Sequence, residues 1–169
     1  MSFQKISGST GKGTIRFYEA TDSLFNEVKL LTTMRSRTIK DETGKTEFDE
    51  YSVTDSERDF FNNFLKYAVP EIFSNLAKIA TGVVNSVFID EGSTNSETGF
   101  SLIDNEAYDD NILTIIDGRI RECYILYCLK KWWLHTAFDN IQAMYTAQYM
   151  EALREMKKMA YQLIKPLMV

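Results

Sequence analysis

Histidine, cysteine and proline are nearly missing from this sequence, and each scarcity removes a class of function. His135 is the only histidine, so a HExxH site is impossible. A hydrolytic triad, or a zinc site with Cys123 and Cys128, also fails on residue count or spacing. His135 reads instead as a helix-end residue near the negative pole of the helix dipole. The two cysteines lie five positions apart on one expected helix, roughly 140° apart around its axis, a poor geometry for a disulfide. They read as buried thiols of a reducing compartment. No run approaches the roughly 18 apolar residues of a membrane span. The start, MSFQKISGST, lacks the apolar core of a signal peptide, so the expected protein is soluble and made in a cytoplasm.

What is present is a core. The chain has 169 residues, 44% of them hydrophobic, with 11 Phe, 9 Tyr and 2 Trp. That suits one packed domain able to bury about 70% of its unfolded surface. A net charge of −5 argues against a protein whose main task is wrapping nucleic acid.

Of the two prolines, Pro70 and Pro166, only the first falls inside a helical pattern. Asp110–Pro166 carries no proline before its end and a single glycine, Gly118, so nothing strong breaks a helix there. Two long helices are expected, near 111–136 and 138–164, antiparallel because their connection is short, with aromatic residues crowded at the corner near His135–Asn140. The first is apolar around most of its girth. It is therefore either the domain's central helix or a helix with one side against another subunit. The second presents Ile141, Tyr145, Tyr149, Ala152, Met156, Met159 and Leu163 as its inner face. Glu151–Arg154 and Glu155–Lys158 are exposed pairs on its outside.

A third helix is expected near 55–81. Thr54-Asp55-Ser56-Glu57 is a capping box, and Phe61, Phe64, Leu65, Ala68, Ile72, Phe73 and Leu76 form an apolar stripe. Pro70 predicts a kink or break near Ala68–Pro70, and Gly82 a stop. Val83–Ile89 and Gly99–Ile103 flank nine polar or small residues and predict a hairpin near 83–103 with an exposed, mobile tip. TIRFY and EVKLLTTMRSRTI, within 14–53, read as a small antiparallel element. Phe25–Met34 reads alternatively as a turn or two of helix. Residues 1–14 are polar and glycine-rich, which predicts a flexible arm before a single α+β domain at 15–169.

Several patterns invite a site and have plainer readings. Gly8–Thr14 looks like a phosphate loop, but the position five before Gly11 is Ile6 and no strand precedes it. Trp132, Trp133, Tyr145 and Tyr149, beside Lys130 and Lys131, resemble a base-stacking surface; core or subunit packing is the plainer reading on composition. Glu106, Asp109 and Asp110 suit helix capping better than a cation. Met144, Met150, Met156, Met159 and Met168 read as core filler. No residue is singled out as catalytic, cofactor-binding or metal-ligating.

Three stretches carry a resemblance: TDSERDFFNNFLKYA (Thr54–Ala68), AYDDNI (Ala107–Ile112), and the aromatic ending from Lys130 to Pro166 with its Tyr-x-x-x-Lys-Pro close. Together with the early strand region, their order is similar to that of small virion proteins of tailed phages and prophages of gut bacteria, the crAss-like phages among them. Gln162–Lys165 is less basic than that family's tail. The resemblance implies a non-enzymatic head–tail connector, or neck ring, subunit that oligomerises and joins portal to tail. It implies a location in the virion after assembly in the host bacterial cytoplasm. Expected partners are further copies of itself, the portal, and tail or other neck proteins, with passing DNA contact but no specific nucleic-acid binding, no membrane and no cofactor. The competing reading is a small regulatory or adaptor domain of a mobile element, binding a protein through its aromatic helix pair. The expected fold is α+β, mainly helical: a long antiparallel helix pair plus a capped, proline-kinked helix, with a small antiparallel β-element and a hairpin.

Overall fold

In the strand β2, Gly13–Ala20, side chains alternate: Ile15, Phe17 and Glu19 are buried while Thr14, Arg16 and Tyr18 are only half-covered. That period of two needs a partner face on one side and pairing partners at both edges. A computed structural model of the chain supplies both, and describes residues 2–6, 13–40, 43–44, 51–77, 87–89, 96–104 and 110–164. β2 lies inside a four-stranded antiparallel sheet with β1 (Ser2–Ile6), β3 (Val87–Ile89) and β4 (Glu97–Asp104), in the order β1-β2-β4-β3. Phe3, Phe17 and Phe100 stand across adjacent strands with ring centroids 6.4 and 5.7 Å apart, and Phe73 continues the row from a helix at 5.5 Å. Gly99 is required where it stands, because a Cβ there would lie 2.0 Å from the Phe17 carbonyl oxygen.

The sheet corrects the arm expected at 1–14. Ser2–Ile6 is paired with Thr14–Tyr18. Average polarity hid Phe3, which finds its apolar neighbour, Phe17, only once the strands are side by side. Residues 7–12, with most of the glycine-rich stretch, lie outside the described residues. The expected hairpin is present as β3 paired with β4, Val87 opposite Phe100; its tip at 90–95 also lies outside them.

A second correction concerns EVKLLTTMRSRTI, where the alternative reading of Phe25–Met34 as helix holds and the strand does not. Thr21–Ser36 is a helix, α1, that begins directly after β2. Its buried face mixes Leu24, Phe25 and Val28 with Thr21, Thr32 and Ser36. The hydroxyls are all satisfied. Thr21 and Thr98 share a hydrogen bond of 2.8 Å, and Ser36 and Ser52 one of 2.9 Å. Thr32 donates to the Val28 carbonyl and accepts from the Val53 N–H at 3.1 Å. These bonds let polar side chains sit on a core face without a desolvation penalty.

α2 runs over Arg58–Ala77, entered through a short 3-10 turn at Asp55–Glu57. The capping box forms, with the Thr54 N–H donating to Glu57 Oε2 at 2.7 Å. Pro70 lies inside α2, and the helix continues through it to Ala77. Proline has no N–H, so one bond of the helical ladder, to the residue four before it, is not made by Pro70. Residues 78–86, including the expected stop at Gly82, lie outside the described ones.

α3 (Asp110–His135) and α4 (Asp139–Ile164) are the expected antiparallel pair. α3 is the central helix: α1, α2, α4 and β1 all pack against it. Its wide apolar girth is therefore used inside this chain. The corner between the two helices is a left-handed cap. Ala137 has φ of 60°, its N–H donates to the Leu134 carbonyl, and the Phe138 N–H donates to the Trp133 carbonyl at 3.1 Å. The Trp133 and Phe138 rings close the motif edge to face at 5.7 Å. The result is α+β and mainly helical.

Candidate functional site

The aromatic-basic stretch read from the sequence divides in two. Trp132, Trp133 and Tyr149 are core residues, and Tyr145 is half-buried. Trp132 Nε1–H donates to the Tyr51 carbonyl at 2.9 Å, fixing the α3 end to the chain ahead of α2. The three core rings offer no face for stacking a base. His135 is exposed and lies against Phe60, centroids 5.0 Å apart.

Lys130 belongs to a clamp among α2, α3 and α4. Its ammonium lies 3.7 Å from the Tyr149 ring centroid and 4.3 Å from that of Tyr127. Glu71 Oε1 is 3.9 Å away and accepts the Tyr149 hydroxyl proton at 2.7 Å. Burial lowers the Lys130 pKa, and the Glu71 carboxylate opposes it at a distance too long for a hydrogen bond. Burial and the bond to Glu71 both push the Tyr149 hydroxyl well up. The cluster joins three helices through a half-buried charge held by two aromatic faces.

A second polar group sits where β2 meets α3. Asp117 is 5% exposed and its Oδ1 has no hydrogen-bond partner among the described residues. Burial raises its pKa to about 6, with the Glu19 carboxylate adding to the effect. One turn on, Arg121 Nε lies 3.3 Å from Glu19 Oε2, and its terminal nitrogen pairs with Glu27 of α1. The buried Tyr124 hydroxyl, near enough for Asp117 to raise its pKa, has no hydrogen-bond partner among the described residues.

The thiols are inert as they stand. Both are buried and free, and burial pushes Cys123 up to about 12 and Cys128 higher still. Among the described residues, no three of the His, Cys, Asp and Glu side chains converge as a metal site, and no helix is long and apolar enough to cross a membrane. Of the acidic lead-in, Asp110 opens α3 and pairs with Lys5 Nζ at 2.5 Å; Glu106 and Asp109 lie outside the described residues. Met156 is core, Met144 and Met159 are half-buried, and Met150 is exposed; Met168 lies outside the described residues.

Two surface features remain. A groove of about 400 Å³ runs between α1, α3 and α4, floored by Leu31, Ile125, Leu126, Leu129 and Met144 and rimmed by Glu27, Arg121 and Glu122. Leu30 and Met34, both exposed, extend the α1 side. The other feature is an aromatic strip along the α2–α3 seam, where Phe60 is 46%, Tyr67 68% and Leu134 54% exposed. Sequence reading passed over this strip. Its one signal was that Phe60 and Tyr67, seven positions apart, fall off the apolar stripe of their own helix. Against protein-family models, curated proteins and solved structures, the chain has no match.

Proposed function

We propose that this protein is a non-enzymatic structural subunit that works by assembling: a head–tail connector, or neck ring, component that oligomerises and joins portal to tail in a virion. The observation that carries the reading is apolar surface left outside a well-filled core. Leu30, Met34, Phe60, Tyr67 and Leu134 are all at least 45% exposed, although α3 has already taken its apolar neighbours from within the chain. Large side chains grouped outside a saturated core suit a protein interface better than a lone domain in water. The wide girth of α3, by contrast, is absorbed internally and no longer speaks for an oligomer. The resemblance of the Thr54–Ala68, Ala107–Ile112 and Lys130–Pro166 stretches to neck proteins supplies the rest. The adaptor reading loses its binding face, since Trp132, Trp133 and Tyr149 are in the core.

The test is assembly. Purified protein, alone and mixed with a portal protein from the same genome, should give closed rings by electron microscopy and a ring's mass by light scattering. A chain that stays monomeric and ignores virion components would end this reading.

A further inference from the structure

Asp117 and Tyr124 stand two helical turns apart on α3, so their side chains leave the axis within about 20° of each other. Long side chains on a helix lean back toward its N-terminus, which carries the Tyr124 hydroxyl toward Asp117. Asp117 is 5% exposed and Tyr124 is wholly enclosed. Neither Asp117 Oδ1 nor the Tyr124 hydroxyl has a hydrogen-bond partner among the described residues. Burial pushes the Tyr124 hydroxyl pKa up, and Cys123 and Asp117 add to that, so the carboxyl and the phenol act on each other.

Polar groups nearby on the sheet and on α1 are engaged elsewhere. Arg121, one turn after Asp117, gives Nε to Glu19 at 3.3 Å and its terminal nitrogen to Glu27, with the Ser23 hydroxyl at 3.5 Å. Thr98, opposite Glu19 in the strand register, shares its hydroxyl bond with Thr21, and Lys5 pairs with Asp110. Two buried polar atoms on one helix face, left unserved by the chain, call for a partner that is not part of it. A metal cation fits poorly, because Arg121 already brings a positive charge to Glu19 here. Water both donates and accepts, so it suits a phenol and either protonation state of a carboxyl group. Buried water typically bonds two or more such groups at once.

We infer that α3 holds internal water on its sheet side, hydrogen-bonded to Asp117 Oδ1 and to the Tyr124 hydroxyl. This water is a structural part of the core, joining polar groups that side-chain packing leaves single. It is independent of any assembly the molecule enters.

Two measurements test it. A high-resolution crystal structure of the unaltered chain should show solvent density within about 3.2 Å of both Asp117 Oδ1 and the Tyr124 hydroxyl. Crystals grown in rubidium chloride should show no anomalous signal at that density; a signal there would identify a cation and overturn the water. Thermal melts of Tyr124→Phe give the second readout, because the sign of the change separates the two cases. A hydroxyl bonded to water contributes to stability, so its removal should lower Tm by about 2–4 °C. A hydroxyl with no partner carries only the cost of its burial, so the variant would then melt at or above wild type. That result, or an absence of density at the two atoms, overturns the inference. The density measurement uses the unaltered chain, so it decides even if the variant does not fold.

Discussion

From Asp110 to Glu122, α3 buries only Leu113, Ile116, Asp117 and Ile120, whereas every side chain from Cys123 to Leu129 is buried. The first half is largely open to solvent; the second is packed by neighbouring helices, although its Ile125, Leu126 and Leu129 also floor the groove. Asp117 in the first half and Lys130, just past Leu129, are ionisable groups handled in opposite ways. The Lys130 pKa is lowered by burial, but two tyrosine rings and the Glu71 carboxylate lie around its ammonium. At Asp117 burial dominates and raises the proton affinity, and the Glu19 carboxylate adds to the effect. A buried charge can be met with partners or relieved by neutralisation, and this helix does one at each end.

The contrast can be broken hardest in the enclosed half. Trp133→Ala should destabilise the fold by about 3–5 kcal/mol in denaturant titrations, because a wholly buried indole leaves a cavity that rigid neighbours cannot close. The same truncation at exposed Ile115, in the open half, should stay within about 0.5 kcal/mol of wild type.

Asp117→Asn should act in the other direction. The folded-state value of about 6 lies above the 3.8 of an ordinary aspartate, so the folded chain holds an extra proton between those values. Stability from this group is full below the unfolded value and is lost as pH rises through about 6. The variant should therefore exceed wild type by about 2 kcal/mol at pH 7 and lose that advantage by pH 4, as read from thermal melts across pH. Glu57, held below its usual value by the Thr54 hydroxyl, loses stabilisation as pH falls. It is common to both proteins and cancels from the difference.

Tyr149→Phe tests whether the Lys130 clamp works through its hydrogen bond or its rings. Removing the hydroxyl deprives Glu71 of its 2.7 Å donor and should cost about 1–2 kcal/mol in stability. A cost near zero would assign the clamp to the rings alone. A smaller effect is expected just past the end of α3, where Ala137 adopts a backbone that glycine takes freely. Ala137→Gly should stabilise by about 1 kcal/mol, measured as a rise in Tm.

Legibility followed the chemistry of each segment. α3 and α4 could be read nearly to the residue, because no breaker interrupts them and the apolar positions recur at helical spacing. The α2 start was legible because Thr54 and Glu57 bond locally. α1 was misread because half of its buried face is Thr21, Thr32 and Ser36, whose hydroxyls are satisfied by Thr98, Val53 and Ser52, partners that local sequence does not reveal. β1 was misread for a related reason, since Phe3 finds its apolar neighbour only through strand pairing. The groove was invisible because its walls come from three helices, and the strip because Phe60 and Tyr67 acquire meaning only as residues left outside.

The strand order has a consequence for how the chain reaches this state. The central pairing, β2 with β4, joins Ala20 to Glu97 and Gly13 to Asp104, positions 77 and 91 apart. Closing a loop of that length costs several kcal/mol of chain entropy before any ladder bond repays it, whereas the helix pair α3–α4 needs only a short corner. A ribosome emits β2 early and β4 only after residues 21–96, so through that stretch of synthesis the inner edge of β2 waits without its partner. The sheet is thus a late event in the life of each molecule, and translation speed through residues 21–96 sets how long that edge stays open to the wrong strand.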